Sequence, residues 1–196
     1  GEVRDGTIAA GVTVGPLDNS IVTVNAADFE GGLSVIVGNG VVTSTGGIGD
    51  DELLYAFIAA GPAPTSTYTT ADIIDGGDGV DMLGLLSADC APGADQVNVT
   101  NVEGLRVLDE LATSPLLSRW GTGVNRVSLD DGGNNGVISF PAGESFLHLG
   151  AFGATDAAGT GTLGASISGV VAGDVLNLTM NDCDQTGDVT VTQAET

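Results

Sequence analysis

One glycine-aspartate pattern occurs twice, 30 residues apart: Gly46 to Leu53 reads GGIGDDEL and Gly76 to Leu83 reads GGDGVDML. Both fit G-G-x-G-x-D-x-U, where U is a large apolar residue. A hairpin turn needs one or two such residues, not six. Glycine tolerates positive φ without a side-chain penalty, so the backbone curls and successive carbonyls aim at one point. Asp51 or Asp81 then adds negative charge, and Leu53 or Leu83 turns inward to anchor the next strand. A chain with two such loops has to place a strand on either side of each.

Strand signals are dense throughout. Segments such as VTV, NSIVTVN, GLSVIVGNGVVTST and ELLYAF come early, and QVNVTNVEGLRVL, VNRVSL, GVISF, ESFLHLGAF, DVLNLTM and DVTVTQ follow. Val97 to Thr100 and Val189 to Thr192 alternate with period two, the mark of half-buried strands. Val, Ile, Leu, Ala and Thr dominate, aromatics are only 4%, and 32 glycines punctuate the runs, a mixture that favours short strands. DELATSPLLSRW has room for a helical turn or two, and TTADIID opens on a threonine cap signal. The class is all-β, and the patterning fits both a parallel solenoid and packed antiparallel sheets. A composition shift at SADCAPGADQ divides the chain into region 1–86, which holds both loops, and region 87–196. Both ends read as cuts within a longer or processed chain.

Charge narrows the function. There are 26 Asp and Glu against Arg4, Arg106, Arg119 and Arg126, and the net charge is −22. That balance argues against nucleic acid and anionic membrane as partners, and no apolar run is long enough to insert in a bilayer. Compaction is costly unless cations bind or screen the carboxylates. Calcium takes six to eight oxygens and accepts carboxylates and carbonyls alike. The expected ligands are therefore Asp51 and Asp81 with the loop glycines Gly47, Gly49, Gly77 and Gly79, helped by the neighbouring acids Asp50, Asp75 and Asp78.

The order GGIGDDELLYA, a spacer, TTADIIDGGDGVDMLGLL and VNVTNVEGLRVL is similar to the repeat of RTX-type bacterial surface-layer proteins. Residues 44–108 carry the likeness well, residues 120–196 more loosely, and the first forty weakly. The resemblance implies a calcium-stabilised parallel β-solenoid-like core (the alternative being an antiparallel β-sandwich) in an extracellular, self-assembling cell-surface protein. Long β-rolls stack consecutive nonapeptides, whereas here the two copies stand apart. Each loop is therefore expected to find further ligands elsewhere in the fold, from Asp72 and from Glu103 in the family-like NVEGL. A second departure is the pair Cys90 and Cys183. A disulfide between them would contribute up to about 4–5 kcal/mol in the chain-entropy model.

Lesser signals have plainer readings. Asp182, Asp184 and Asp188 form an acidic turn without the glycine and glutamate of an EF-hand. Asp130 and Asp131 in DDGGNNG suggest a hairpin loop, His148 a strand face, and Trp120 a core or interface anchor. No G-x-S-x-G, H-E-x-x-H or Ser/His/Asp arrangement occurs, so the expectation is not an enzyme. The expected role is a calcium-rigidified structural subunit of a surface layer, sheath or filament. Its partners would be other copies of itself and cell-surface polysaccharide. The alternative is a calcium-stiffened stalk or binding module of a large adhesin.

Overall fold

The computed structural model describes residues 11–57, 64–150, 163–167, 173–181 and 188–193. Among them the chain shuttles between one long sheet and two shorter ones. The long sheet holds eight strands: β1 (Val12–Val14), β3 (Leu33–Ile36), β5 (Glu52–Leu54), β9 (Met82–Leu85), β11 (Gly104–Val107), β12 (Arg126–Leu129), β14 (Glu144–Gly150) and β16 (Val175–Asn181), adjacent in that order. Between visits the chain contributes β2 (Thr23–Asn25), β4 (Thr43–Thr45), β8 (Ile73–Asp75) and β10 (Val99–Thr100) to a second sheet. It later adds β13 (Val137–Phe140), β15 (Leu163–Ile167) and β17 (Val189–Gln193) to a third. Every pairing in these three sheets is parallel; only β6 (Ala56–Phe57) with β7 (Thr65–Ser66) is antiparallel. The all-β expectation holds, and the parallel ladders remove the antiparallel sandwich. The long sheet runs from β9 to β11 across the boundary expected at residue 86. Among the described residues, no helix is long and apolar enough to cross a membrane.

Parallel register lines up like side chains. Val35, Leu53, Leu83, Leu105, Val127 and Leu147 occupy one inward row, and none exceeds 2% exposure. Leu85, Val107, Leu129 and Leu149 form the next row, all fully buried. Each such side chain contributes about 1.5–3 kcal/mol by leaving water. Opposite them lie Ile74 and Val99 from the second sheet and Ile138 and Phe140 from the third. The rows continue into exposed residues at both edge strands: Val14 on β1, and Leu178 and Met180 on β16. At the corner, DELATSPLLSRW supplies only a 3-10 turn, Leu117–Trp120. Trp120 is buried, its ring 5.5 Å from that of Tyr68 and beneath the Arg119 guanidinium, and so acts as the core anchor expected. His148 sits on β14, as expected for a strand residue.

DDGGNNG does not form a hairpin. It carries the chain from β12 in the long sheet to β13 in the third, and Asp130 pairs with Arg106. Arg106 donates to both Asp130 oxygens, Nε at 3.0 Å to Oδ1 and Nη2 at 3.0 Å to Oδ2, while Nη1 reaches across β9 to Glu52. Gly84, paired beside Arg106 on β9, leaves room for the Leu54 side chain, which a Cβ there would overlap. Ser34 Oγ holds the other Glu52 oxygen at 3.0 Å. Glu52 is thus a strut between strands. Burial pushes the Asp130 carboxyl up to about 6, against the lowering effect of Arg106.

Arg106→Ala leaves Glu52 and Asp130 buried without a counter-charge, and a loss of about 3–5 kcal/mol is expected in urea unfolding. The raised Asp130 pKa means that the unfolded chain releases this proton first as pH rises. The group therefore subtracts stability progressively between about pH 4 and pH 6. The fall in melting temperature over that window is expected to be smaller in Asp130→Asn than in the parent chain.

Candidate functional site

The two glycine loops do not stand apart. β4 leads into the first and β8 into the second, and these strands pair with Thr45 beside Asp75. β5 and β9 leave the loops with Glu52 beside Met82. The loops are thereby held at equal height and lie one directly on the other; β6 and β7, between them in sequence, form a separate two-stranded sheet. Gly46 N donates to Asp75 O at 2.8 Å, and Asp78 N to Gly47 O at 2.9 Å. A Cβ on Gly46 would overlap the Gly76 carbonyl oxygen, and one on Gly76 the Asn101 carbonyl oxygen. Glycine at these two positions is what lets backbone touch backbone. The contact with Asn101 adds a third tier, formed by residues that carry no glycine motif, with Asn101 itself at a φ of 50°.

The stacking sets acids of neighbouring tiers against each loop's main chain. Asp51 Oδ1 accepts the Leu33 N–H at 2.7 Å, 18 residues back. Asp81 Oδ1 accepts the Asp51 N–H at 2.7 Å, 30 residues back. Glu103 Oε2 accepts the Asp81 N–H at 2.9 Å, 22 residues back. Three acids from three tiers thus form a ladder, each satisfying the main chain of the tier before it. Asp50 reaches the other way, accepting the Val80 N–H of the following tier at 2.9 Å. The sequence signal for Glu103 came only through the family-like NVEGL; here it takes the third aspartate's place.

The other expected ligands have other duties. Asp72 lies at the opposite end of β8 from the loop, where it accepts Val42 N–H at 2.8 Å and Thr69 N–H at 2.7 Å and closes the TTAD turn. Asp75 Oδ1 accepts Asn101 Nδ2 at 2.8 Å and Gly77 N–H at 3.2 Å. The Asp78 main chain joins the two loops, and Gly79 stacks on Gly49. Cys90 is a fully buried free thiol within the core, and its expected partner Cys183 lies outside the described residues, as do Asp182 and Asp184.

Asp81 is the exception in this saturated network. It is fully buried, yet its Oδ2 has no hydrogen-bond partner. Burial pushes its carboxyl up to about 8; Asp51, Glu103 and Asp50 add to the rise, and the Asp51 N–H opposes it. Asp51 is also raised by burial, with Gly47 and Leu33 N–H groups opposing. An unpartnered buried carboxylate oxygen is what a bound cation would satisfy. Among the described residues, no group of three or more acid, His or Cys side chains is placed to hold a metal. A cation at Asp81 therefore needs main-chain carbonyls as well, which calcium accepts. Asp81 with Gly77 and Gly79 are the residues that would hold it. No family model, curated protein or solved structure matches the chain.

Gly76→Ala forces a methyl group against the Asn101 carbonyl and 2.6 Å from Asp81 Oδ2. A loss of about 3 kcal/mol or more is expected. Gly40→Ala, whose nearest neighbour is Asn19 O at 3.4 Å, is expected to cost far less in the same urea titration.

Proposed function

We propose that the chain is a structural subunit of an extracellular, self-assembling surface layer, sheath or filament, and that calcium in the stacked glycine loops rigidifies it. In this reading the parallel tiers make one solenoid-like core, and the loops form a seam along its side. The observation that carries the reading is Asp81 Oδ2, a buried carboxyl oxygen with no hydrogen-bond partner, set in a glycine loop. The protein's own residues do the rest: glycines bring the backbones together, Asp51 and Glu103 fasten successive tiers, and Asp81 presents the ion with charge.

Calcium bound to the folded chain but not to the unfolded one adds about 2.7 kcal/mol at a hundred times its dissociation constant. It also offsets repulsion in a chain of net charge −22. Self-association is supported by the edges of the long sheet. The outer sides of β1 and β16 carry no strand partner among the described residues, and Val12, Val14, Leu178 and Met180 are exposed there. Unpaired edges of this kind are templates for another chain.

Stripping calcium with a chelator is expected to lower the melting temperature by several degrees and to disperse assemblies seen by electron microscopy, with both restored on re-addition. A melting curve and particle morphology indifferent to chelation would overturn the proposal.

A further inference from the structure

The two loops share a pattern but not a hydrogen-bonding state. In the first, Gly47 N–H donates to Asp51 Oδ2 while Leu33 N–H holds Oδ1, so both oxygens of Asp51 are occupied. In the second, the equivalent Gly77 N–H turns instead to Asp75 Oδ1, and Asp81 Oδ2 is left without a partner. The difference traces to one residue. Asp75 pairs in register with Thr45, so the second loop has a carboxylate where the first has a hydroxyl side chain. The backbone follows: Gly77 and Gly79 take φ of 100° and 128°, whereas Gly47 and Gly49 stay out of the left-handed region.

We infer that the loops are unequal: Gly76–Asp81 is a cation site, and Gly46–Asp51 is a structural copy whose aspartate is consumed by its own backbone. The inference rests on the calcium reading above and sharpens it, since pattern alone makes the two loops alike. Asp75 is a positioning residue that draws the Gly77 N–H away and keeps the Asp81 oxygen open. Asp51 is a strut: it fastens Leu33 and Gly47 and supplies the N–H that orients Asp81.

The test is calorimetric titration of calcium into the chelator-stripped full chain at about 0.15 M salt, where diffuse screening is short-ranged. Asp81→Asn is expected to remove one calcium equivalent. Asp51→Asn is expected to keep that equivalent while lowering the calcium-free melting temperature. Asp75→Asn retains an oxygen for the Gly77 N–H and keeps binding within about threefold. Asp75→Thr copies the first loop and weakens binding tenfold or more. Loss of one equivalent from each of Asp51→Asn and Asp81→Asn would overturn the inference and leave the calcium reading standing. Equal weakening by the two Asp75 variants would overturn the positioning role. No calcium-dependent heat from the parent chain would overturn both. Should Asp81→Asn fail to fold, as judged by circular dichroism, the Asp51 and Asp75 variants decide alone.

Discussion

Direct contact of main chain with main chain, at Gly46 on Gly76 and Gly76 on Asn101, is the constraint on which the loop edge of this molecule depends. With no side chain between them, successive tiers approach to hydrogen-bond distance, and main-chain N–H groups that would otherwise meet water are enclosed. An enclosed N–H without an acceptor costs about 1–3 kcal/mol. Asp50, Asp51, Asp81 and Glu103 remove that cost one tier at a time. Asp72 does the same at the far end of β8, Asp109 for the Ser87 N–H at 2.6 Å, and Asp174 for the Gly143 N–H at 2.8 Å. Part of the acidity of the chain is therefore internal carpentry: a carboxylate has two acceptor oxygens and reaches to the adjacent tier.

That solution concentrates negative charge where water is scarce. Asp51, Asp81, Asp109 and Asp130 all have carboxyl groups shifted upward by burial, the opposite of the ordinary surface carboxylate. Arg106 offsets two of the acids, Glu52 and Asp130, by reaching across β9. Arg119 is spent on main-chain carbonyls, Ala91 and Ala94, and on the face of Trp120. Neither of these arginines bonds to Asp81, and Arg126 is drawn toward Glu144, Glu103 and Asp50, so Asp81 Oδ2 is left buried without a partner.

Much of this was legible before the fold was known. Alternation in VNVT and VTVT places apolar residues on one strand face, and the spacing of glycine and aspartate in the two loops marks the places where the backbone bends sharply. The errors are informative. DDGGNNG has the composition of a hairpin, yet it links two sheets, because a parallel architecture needs a corner where an antiparallel one needs a turn. Asp130 of that segment forms an ion pair with Arg106, and nothing local shows that Arg106, 24 residues earlier, lies alongside. Glu52 follows the first loop directly in sequence, yet its strand position carries it to the outer row of the long sheet.

Period and composition by themselves determined that the chain is built of short strands, that its loops bend at glycine, and that its charge demands internal or external compensation. These are local properties, set by φ/ψ freedom, side-chain alternation and residue counts. Only the tertiary structure decided that loops 30 residues apart are nearest neighbours, that Glu103 completes a ladder begun by Asp51, and that one of two like aspartates keeps an open oxygen. Register between parallel strands sets which residues share a row, and it comes from packing summed over the whole stack, which no single segment contains.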